Sequence, residues 1–272
     1  QAVIHLDGFR RLWVGQIFSQ LADKFYIVLM VYLIAQYWVT NTPDGNGALA
    51  EIASAIRMDF ETRAQRITLL ATGIYVANTI PAMVLGSVAG VWVDRWPKRR
   101  VMVASNGLRA LLVLCTPLFL IPGPHWFGLS WGYWALLLMT FLESVLTQFF
   151  APAEQATIPL LVPKEHLLAA NSLYQATSMG ATIVGFALGD PILRGLNHLL
   201  QTVGINGGEF LLLPFCYGMA ALSLSTIQMR EPPRKDSSDS VWTEIVAGIQ
   251  VLREQSSVRG AMVHLVVLYS LL

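Results

Sequence analysis

Charge is scarce in these 272 residues: Asp, Glu, Lys and Arg make up 13% of the chain, against about 25% in a soluble domain. With 54% hydrophobic residues and a mean hydropathy of +0.54, a soluble globular fold is excluded and a polytopic membrane protein is expected. Cysteine is nearly missing. Cys115 and Cys216 lie in apolar runs without a CxxC or Cys/His spacing, so neither a disulfide framework nor a metal site is expected. A net charge of +1 gives no electrostatic ground for a nucleic-acid partner. HExxH and GxSxG are absent, as are paired aspartates on neighbouring spans, so the chain does not read as an enzyme, and no cofactor is expected. The first apolar run is too long for a cleavable signal peptide. The chain starts at Gln1 rather than Met and stops within "VVLYSLL", an apolar run shorter than the roughly 20 residues a span needs, so a fragment of a longer protein is expected.

What the chain does contain is a series of long apolar runs. A segment in lipid must satisfy its backbone hydrogen bonds internally, and none of these runs alternates as a barrel strand does, so the expected fold class is all-α. Spans are predicted at 12–39, 67–93, 101–122, 131–152, 167–192 and 209–229, with short connections at 94–100, 123–130, 153–166 and 193–208. The polar segments 40–66 and 230–257 are longer. The expected organisation is a six-helix unit over 1–229, a linker over 230–257 and the start of a seventh span over 258–272.

Lys and Arg bias a loop toward the cytoplasm. With the N-terminus inside, twelve of the 18 basic residues fall on cytoplasmic segments and four, Arg57, Arg63, Arg66 and Arg194, on outer ones; Lys24 and Arg109 lie within spans. Trp13, Trp92 and Trp96 then mark inner ends and Trp38, Trp126, Trp131 and Trp134 outer ends, the interfacial belt that amphipathic rings prefer. An integral protein of the plasma or bacterial inner membrane is expected. Two polar segments carry helical apolar stripes: Leu49, Ile52, Ile56 and Phe60 within 48–66, and Trp242, Ile245, Ile249 and Leu252 within 241–254. Both are expected to rest on the membrane surface as connectors.

Three stretches carry a family resemblance. "GVWVDRWPKRR", between spans two and three, resembles the cytoplasmic loop motif of the major facilitator superfamily. Gly90, Asp94, Arg95, Lys98 and Arg99 match, while Pro97 replaces a second glycine. "FRRLWVGQIFSQLADKFYIV" is similar to the first span of that superfamily's drug- and siderophore-efflux branch, and "FFAPAEQATIPLLVPKEHLLAANSLYQ" to its passage from span four to span five. The resemblance implies twelve helices in two six-helix halves, a substrate cavity between them and alternating access by rocking. This chain would be the N-terminal half, with the C-terminal half as its missing partner. Spans one and four would line the cavity, two and five would face the other half, and three and six would support them. It implies a secondary transporter exporting a small amphipathic compound against protons, with the bilayer, the substrate and the proton as its partners. Asp94 with Arg95 or Arg99 would form a conformational latch. A non-transporting scaffold or assembly subunit, and a lipid or lysophospholipid translocator on the same fold, are the alternatives.

A charge within a span costs at least ~2.5–3.5 kcal/mol on insertion scales, which singles out Asp23, Lys24, Arg109 and Glu143. Helix rise puts Asp23 about 16 Å from Leu12, Arg109 about 13 Å from Arg100 and Glu143 about 13 Å from Pro152, so the three share one level. Two readings stand: a permanent salt-bridged lock among spans one, three and four, or a cluster in which Arg109 balances one carboxylate and the other exchanges a proton. Lys24 points about 100° from Asp23 and either joins the cluster or snorkels. The superfamily's span-four arginine motif is not matched. Gly185 and Gly189, four residues apart, suit close helix packing. Gln16, Gln20, Tyr26, Asn78, Gln148 and Gln175 are read as hydrogen-bonding partners between helices before they are read as a substrate path.

Overall fold

The computed structural model describes residues 3–38, 60–127, 129–204 and 207–229, together with positions 260, 263, 264 and 267. Six long helices follow one another: α1 Asp7–Leu33, extended by a π-helical turn Ile34–Trp38; α2 Phe60–Arg95; α3 Lys98–Leu114, followed by a 3-10 turn Thr116–Leu120; α4 Trp131–Leu161; α5 Leu167–Gln201; and α6 Leu212–Ser225. A two-residue hairpin, β1 His125–Trp126 paired antiparallel with β2 Leu129–Ser130, bridges α3 and α4. All six helical segments are long and apolar enough to cross a membrane, and the protein is a polytopic all-α membrane protein. The expected 48–59 stripe, the 230–257 linker with its 241–254 helix, and all but four positions of 258–272 lie outside the described residues.

The described helix ends differ from the predicted ones. α2 already includes 60–66, which were assigned to the polar segment. α4 runs through Pro152 and Pro159 to Leu161, where a connection over 153–166 was expected. α5 runs through Pro191 to Gln201, where a connection was expected from 193. Proline removes one backbone donor and usually ends a helix in water, but packed neighbouring helices let a membrane helix continue through it. At the end of α5 an Asp190–Arg194 pair at 2.9 Å, one turn apart, spans the Pro191 position.

Packing follows burial. α1 rests on α5 and α6, α3 on α4 and α6, and α2 on α4. The apolar 18-residue stretches of the spans containing α1 and α6 are each 44% buried, against 11% for that of α2 and 22% for that of α5; α1 and α6 therefore form the middle of the bundle. α2 and α5 turn Leu69, Met83, Leu168, Met179 and Ile183 outward, at 69–81% exposure, a surface that only lipid or another apolar surface would cover. Where α5 meets α1, a Cβ on Gly185 would overlap the Cβ of Lys24, and one on Gly189 would lie 3.0 Å from Val28 Cγ2. The two backbones approach closely because both positions lack a side chain.

The apolar core has two layers. One gathers Phe25, Tyr26, Leu29, Leu33, Val113, Leu136, Met139 and Cys216; the other Phe9, Leu12, Met102, Phe150, Ile158, Tyr174 and Leu224. On α1, α3 and α4 alike, the residues between these layers are polar: Gln16 and Ser19, Asn106 and Arg109, Glu143 and Ser144, all buried. The bundle therefore carries a polar sheet across its middle.

Candidate functional site

The polar layer is built by helical spacing. On α1, Gln16, Ser19, Asp23 and Tyr26 fall at intervals of three, four and three and so share a face. Asn106 and Arg109 do the same on α3, and Thr140, Glu143 and Thr147 on α4. These faces converge on Arg109, whose side chain is entirely buried.

Arg109 Nη1 lies 3.5 Å from Asp23 Oδ1 and 3.5 Å from Ser19 Oγ. Its Nε lies 3.7 Å from Glu143 Oε1. The guanidinium carbon sits 5.0 Å from the centre of the Phe150 ring and 5.7 Å from that of Tyr217, so two π faces cover the charge. Glu143 is 5% exposed at its side chain and Asp23 22%; of the two, Asp23 has the better access to the surroundings. Ser19 Oγ donates to Asn106 Oδ1 at 3.0 Å, and Asn106 Nδ2 donates to the Met102 carbonyl at 3.1 Å. Tyr26 and Thr140 share a hydrogen bond of 2.8 Å, with Thr140 donating to the Leu136 carbonyl.

Tyr217, from α6, completes the cluster. Its hydroxyl lies 2.8 Å from Asp23 Oδ1 and 2.9 Å from Glu143 Oε1. A phenol carries one proton, so it donates to one carboxylate at a time; the second contact is a hydrogen bond only if that carboxyl bears a proton of its own. The charge count agrees. One guanidinium balances one carboxylate, and a second ionised carboxylate this deep would be uncompensated. Arg109 and Tyr217 thus bring one cation and one hydroxyl proton to two carboxyl groups.

The three predicted charges thus meet, and all four helices that form the site contribute. Lys24 does not join them: it lies against Gly185 on the α5 side and makes no hydrogen bond or ion pair among the described residues. The uncharged polar residues connect helices: Gln16 Nε2 donates to the Tyr174 carbonyl at 3.0 Å, and Ser178 Oγ to Gln20 Oε1 at 3.4 Å. Asn78 takes part through its backbone carbonyl, which accepts from Ser144 at 2.5 Å, and Gln148 bonds within its own helix to the Ser144 carbonyl.

Depth measured from helix ends gave the right level for Glu143 from the wrong boundary. α4 ends at Leu161 rather than near Pro152, so the inner part of the helix extends about 27 Å from Glu143. Two buried groups at or near this cluster escaped the sequence reading. Tyr217 sits in an apolar run and bears no charge. Glu154, wholly buried, was assigned to a connection; its place eleven residues, three turns, from Glu143 on one helix was the available signal.

The loop motif forms the joint between α2 and α3. Gly90 faces open space, Asp94 is exposed on the last turn of α2, and Arg95 ends that helix half-buried. Lys98 Nζ lies 3.5 Å from the Asp94 carbonyl. Arg99 Nη1 donates to the carbonyl of Ile227 at 3.1 Å, and Arg11 to that of Thr226, so the end of α6 is held by guanidinium groups from the starts of α1 and α3. Arg99 thus has the carbonyl of Ile227, just past the end of α6, as a hydrogen-bond partner.

The profile of the Major Facilitator Superfamily matches residues 12–272. The chain is 25% identical over 200 residues to the uncharacterized MFS-type transporter YfiS of Bacillus subtilis (strain 168), a match covering 73% of this chain and 44% of that protein. It is 26% identical over 181 residues to macrolide efflux protein A of Enterococcus faecalis (64% and 50%), and 28% identical over 184 residues to the multidrug efflux pump Tap of Mycolicibacterium fortuitum (65% and 42%). The matches span half or less of these relatives' lengths. No solved structure matches significantly. A family match along nearly the whole chain, on a bundle of six membrane-crossing helices, makes this protein a member of the Major Facilitator Superfamily.

Proposed function

We propose that the chain is the N-terminal half of a secondary transporter that exports a small amphipathic organic compound in exchange for protons. The observation that carries the coupling is the single phenol proton of Tyr217 between Asp23 and Glu143, with one arginine for two carboxylates. Such a cluster is neutral with one proton bound and changes charge when that proton leaves or a second arrives, so its occupancy responds to any motion that alters Arg109's distance from either acid. Relatives named for macrolide and multidrug efflux support export of amphipathic molecules. The exposed apolar faces of α2 and α5 are read as the surfaces that meet the second half, with the cavity beside α1 and α4.

Glu143→Gln keeps the shape of the protonated acid and removes the exchange. In the complete protein, reconstituted and assayed for transport at several pH values, the variant loses the pH dependence of the wild type. A folded variant with wild-type pH dependence removes Glu143 from the mechanism and leaves the cluster as a structural lock.

A further inference from the structure

Below the cluster, on the same face of α4, lies a carboxyl that the exchange above does not use. Glu154 is 0% exposed. Its Oε2 accepts from the Tyr174 hydroxyl at 2.9 Å, and its Oε1 has no hydrogen-bond partner among the described residues. No lysine, arginine or histidine of the described residues lies within ion-pair distance of it. One neutral donor is too little to hold an ionised carboxylate inside a membrane helix, so in this conformation the group is a neutral acid. Its titratable and charged neighbours are Tyr174 from α5, Asp23 from α1 and Arg109 from α3; Glu143 stands three turns away on its own helix.

Arg109 shows the matching deficit. Its Nε and Nη2 have no hydrogen-bond partner, and the cation rests on Phe150, which sits on α4 between Glu143 and Glu154, four residues before the latter. A cation with two N–H groups that make no hydrogen bond among the described residues rests on Phe150, and an acid with a spare acceptor stands one turn further along the same helix.

Resting on the proton-coupled reading above, we propose that Glu154 is a second proton station, which ionises when Arg109 swings past Phe150 to pair with it. Glu154 then gives its proton to water at the end of α4 that the basic-residue count assigns to the cytoplasm, and its carboxylate takes Arg109. Asp23 and Glu143, deprived of the cation, bind one proton more from the other side. One proton has left and one has entered, and the buried charge is zero before and after. Tyr174, held to α1 through Gln16, positions the acid.

Glu154→Gln tests this, since the amide copies the neutral acid in shape and cannot ionise. In the complete protein reconstituted in liposomes, efflux driven by a pH gradient falls on the order of tenfold or more. In infrared spectra of the complete protein in lipid, the variant loses a carbonyl band of a protonated carboxylic acid, and Tyr174→Phe shifts that band without abolishing it. Wild-type gradient-driven efflux in Glu154→Gln beside a defective Glu143→Gln overturns the second station alone; gradient-independent efflux in the wild type overturns the coupling reading and this proposal with it. An unchanged infrared band in Glu154→Gln shows an ionised Glu154 and also overturns the proposal.

Discussion

Arg109, itself wholly buried, holds Asp23 and the buried Glu143, so its removal exposes what those acids cost. Arg109→Gln leaves Asp23 and Glu143 without their cation, and breaking a buried pair of this kind costs about 3–5 kcal/mol. The sign of the pH effect follows from which form stays buried. Without the guanidinium both acids fold most readily when protonated, so the penalty is smallest at low pH and grows as pH rises. Thermal unfolding of the variant in lipid across pH measures this; a loss of stability that is the same at every pH contradicts it. Adding Asp23→Asn to Arg109→Gln recovers part of the loss, because the two residues share one interaction. Asp23, Arg109 and Glu143 were legible in the sequence because a charge inside an apolar run needs a reason. Tyr217 was not, since a tyrosine in a span costs little and its position against both acids depends on how α6 packs on α1 and α3. Glu154 was hidden by Pro152, which reads as the end of a helix in water and sits within α4 here.

At the scale of elements, the six spans and their order were legible from the apolar runs alone, while their ends were not. Hydropathy marks where a chain sits in lipid; α4 and α5 continue as helices beyond that point, to Leu161 and Gln201. Close approach of α1 and α5 is the contact most open to test. Gly185→Ala places a methyl against Lys24 and destabilises by about 1–3 kcal/mol, the usual range for overpacking, whereas Gly180→Ala, on a face with nothing within 4 Å, is neutral or slightly stabilising. Comparable melting of the two variants would contradict close packing at Gly185. Arg99→Ala removes the hydrogen bond to the Ile227 carbonyl at the end of α6 and costs about 0.5–1.5 kcal/mol; hydrogen exchange at the last turn of α6 reports it, and unaltered protection there argues against that anchor.

For the whole molecule, the resemblance read from three stretches is matched by a family profile over residues 12–272. Its mechanical implications go further than the described residues. Asp94 is exposed and its carboxylate accepts no hydrogen bond among them; in the latch implied by the resemblance it would meet a helix end in the other half. Asp94→Asn in the complete protein therefore slows turnover while leaving membrane insertion and thermal stability unchanged; normal kinetics count against the latch. The central claim is that a proton held by Asp23, Glu143 and Tyr217 leaves or binds as substrate moves. A pH-sensitive dye trapped with the reconstituted complete protein reads this most directly, when substrate is added to wild type and to Glu143→Gln. The account predicts a proton signal that rises with transported substrate in the wild type and disappears in Glu143→Gln. Substrate movement with no proton signal in the wild type, or an undiminished signal in the variant, would contradict it.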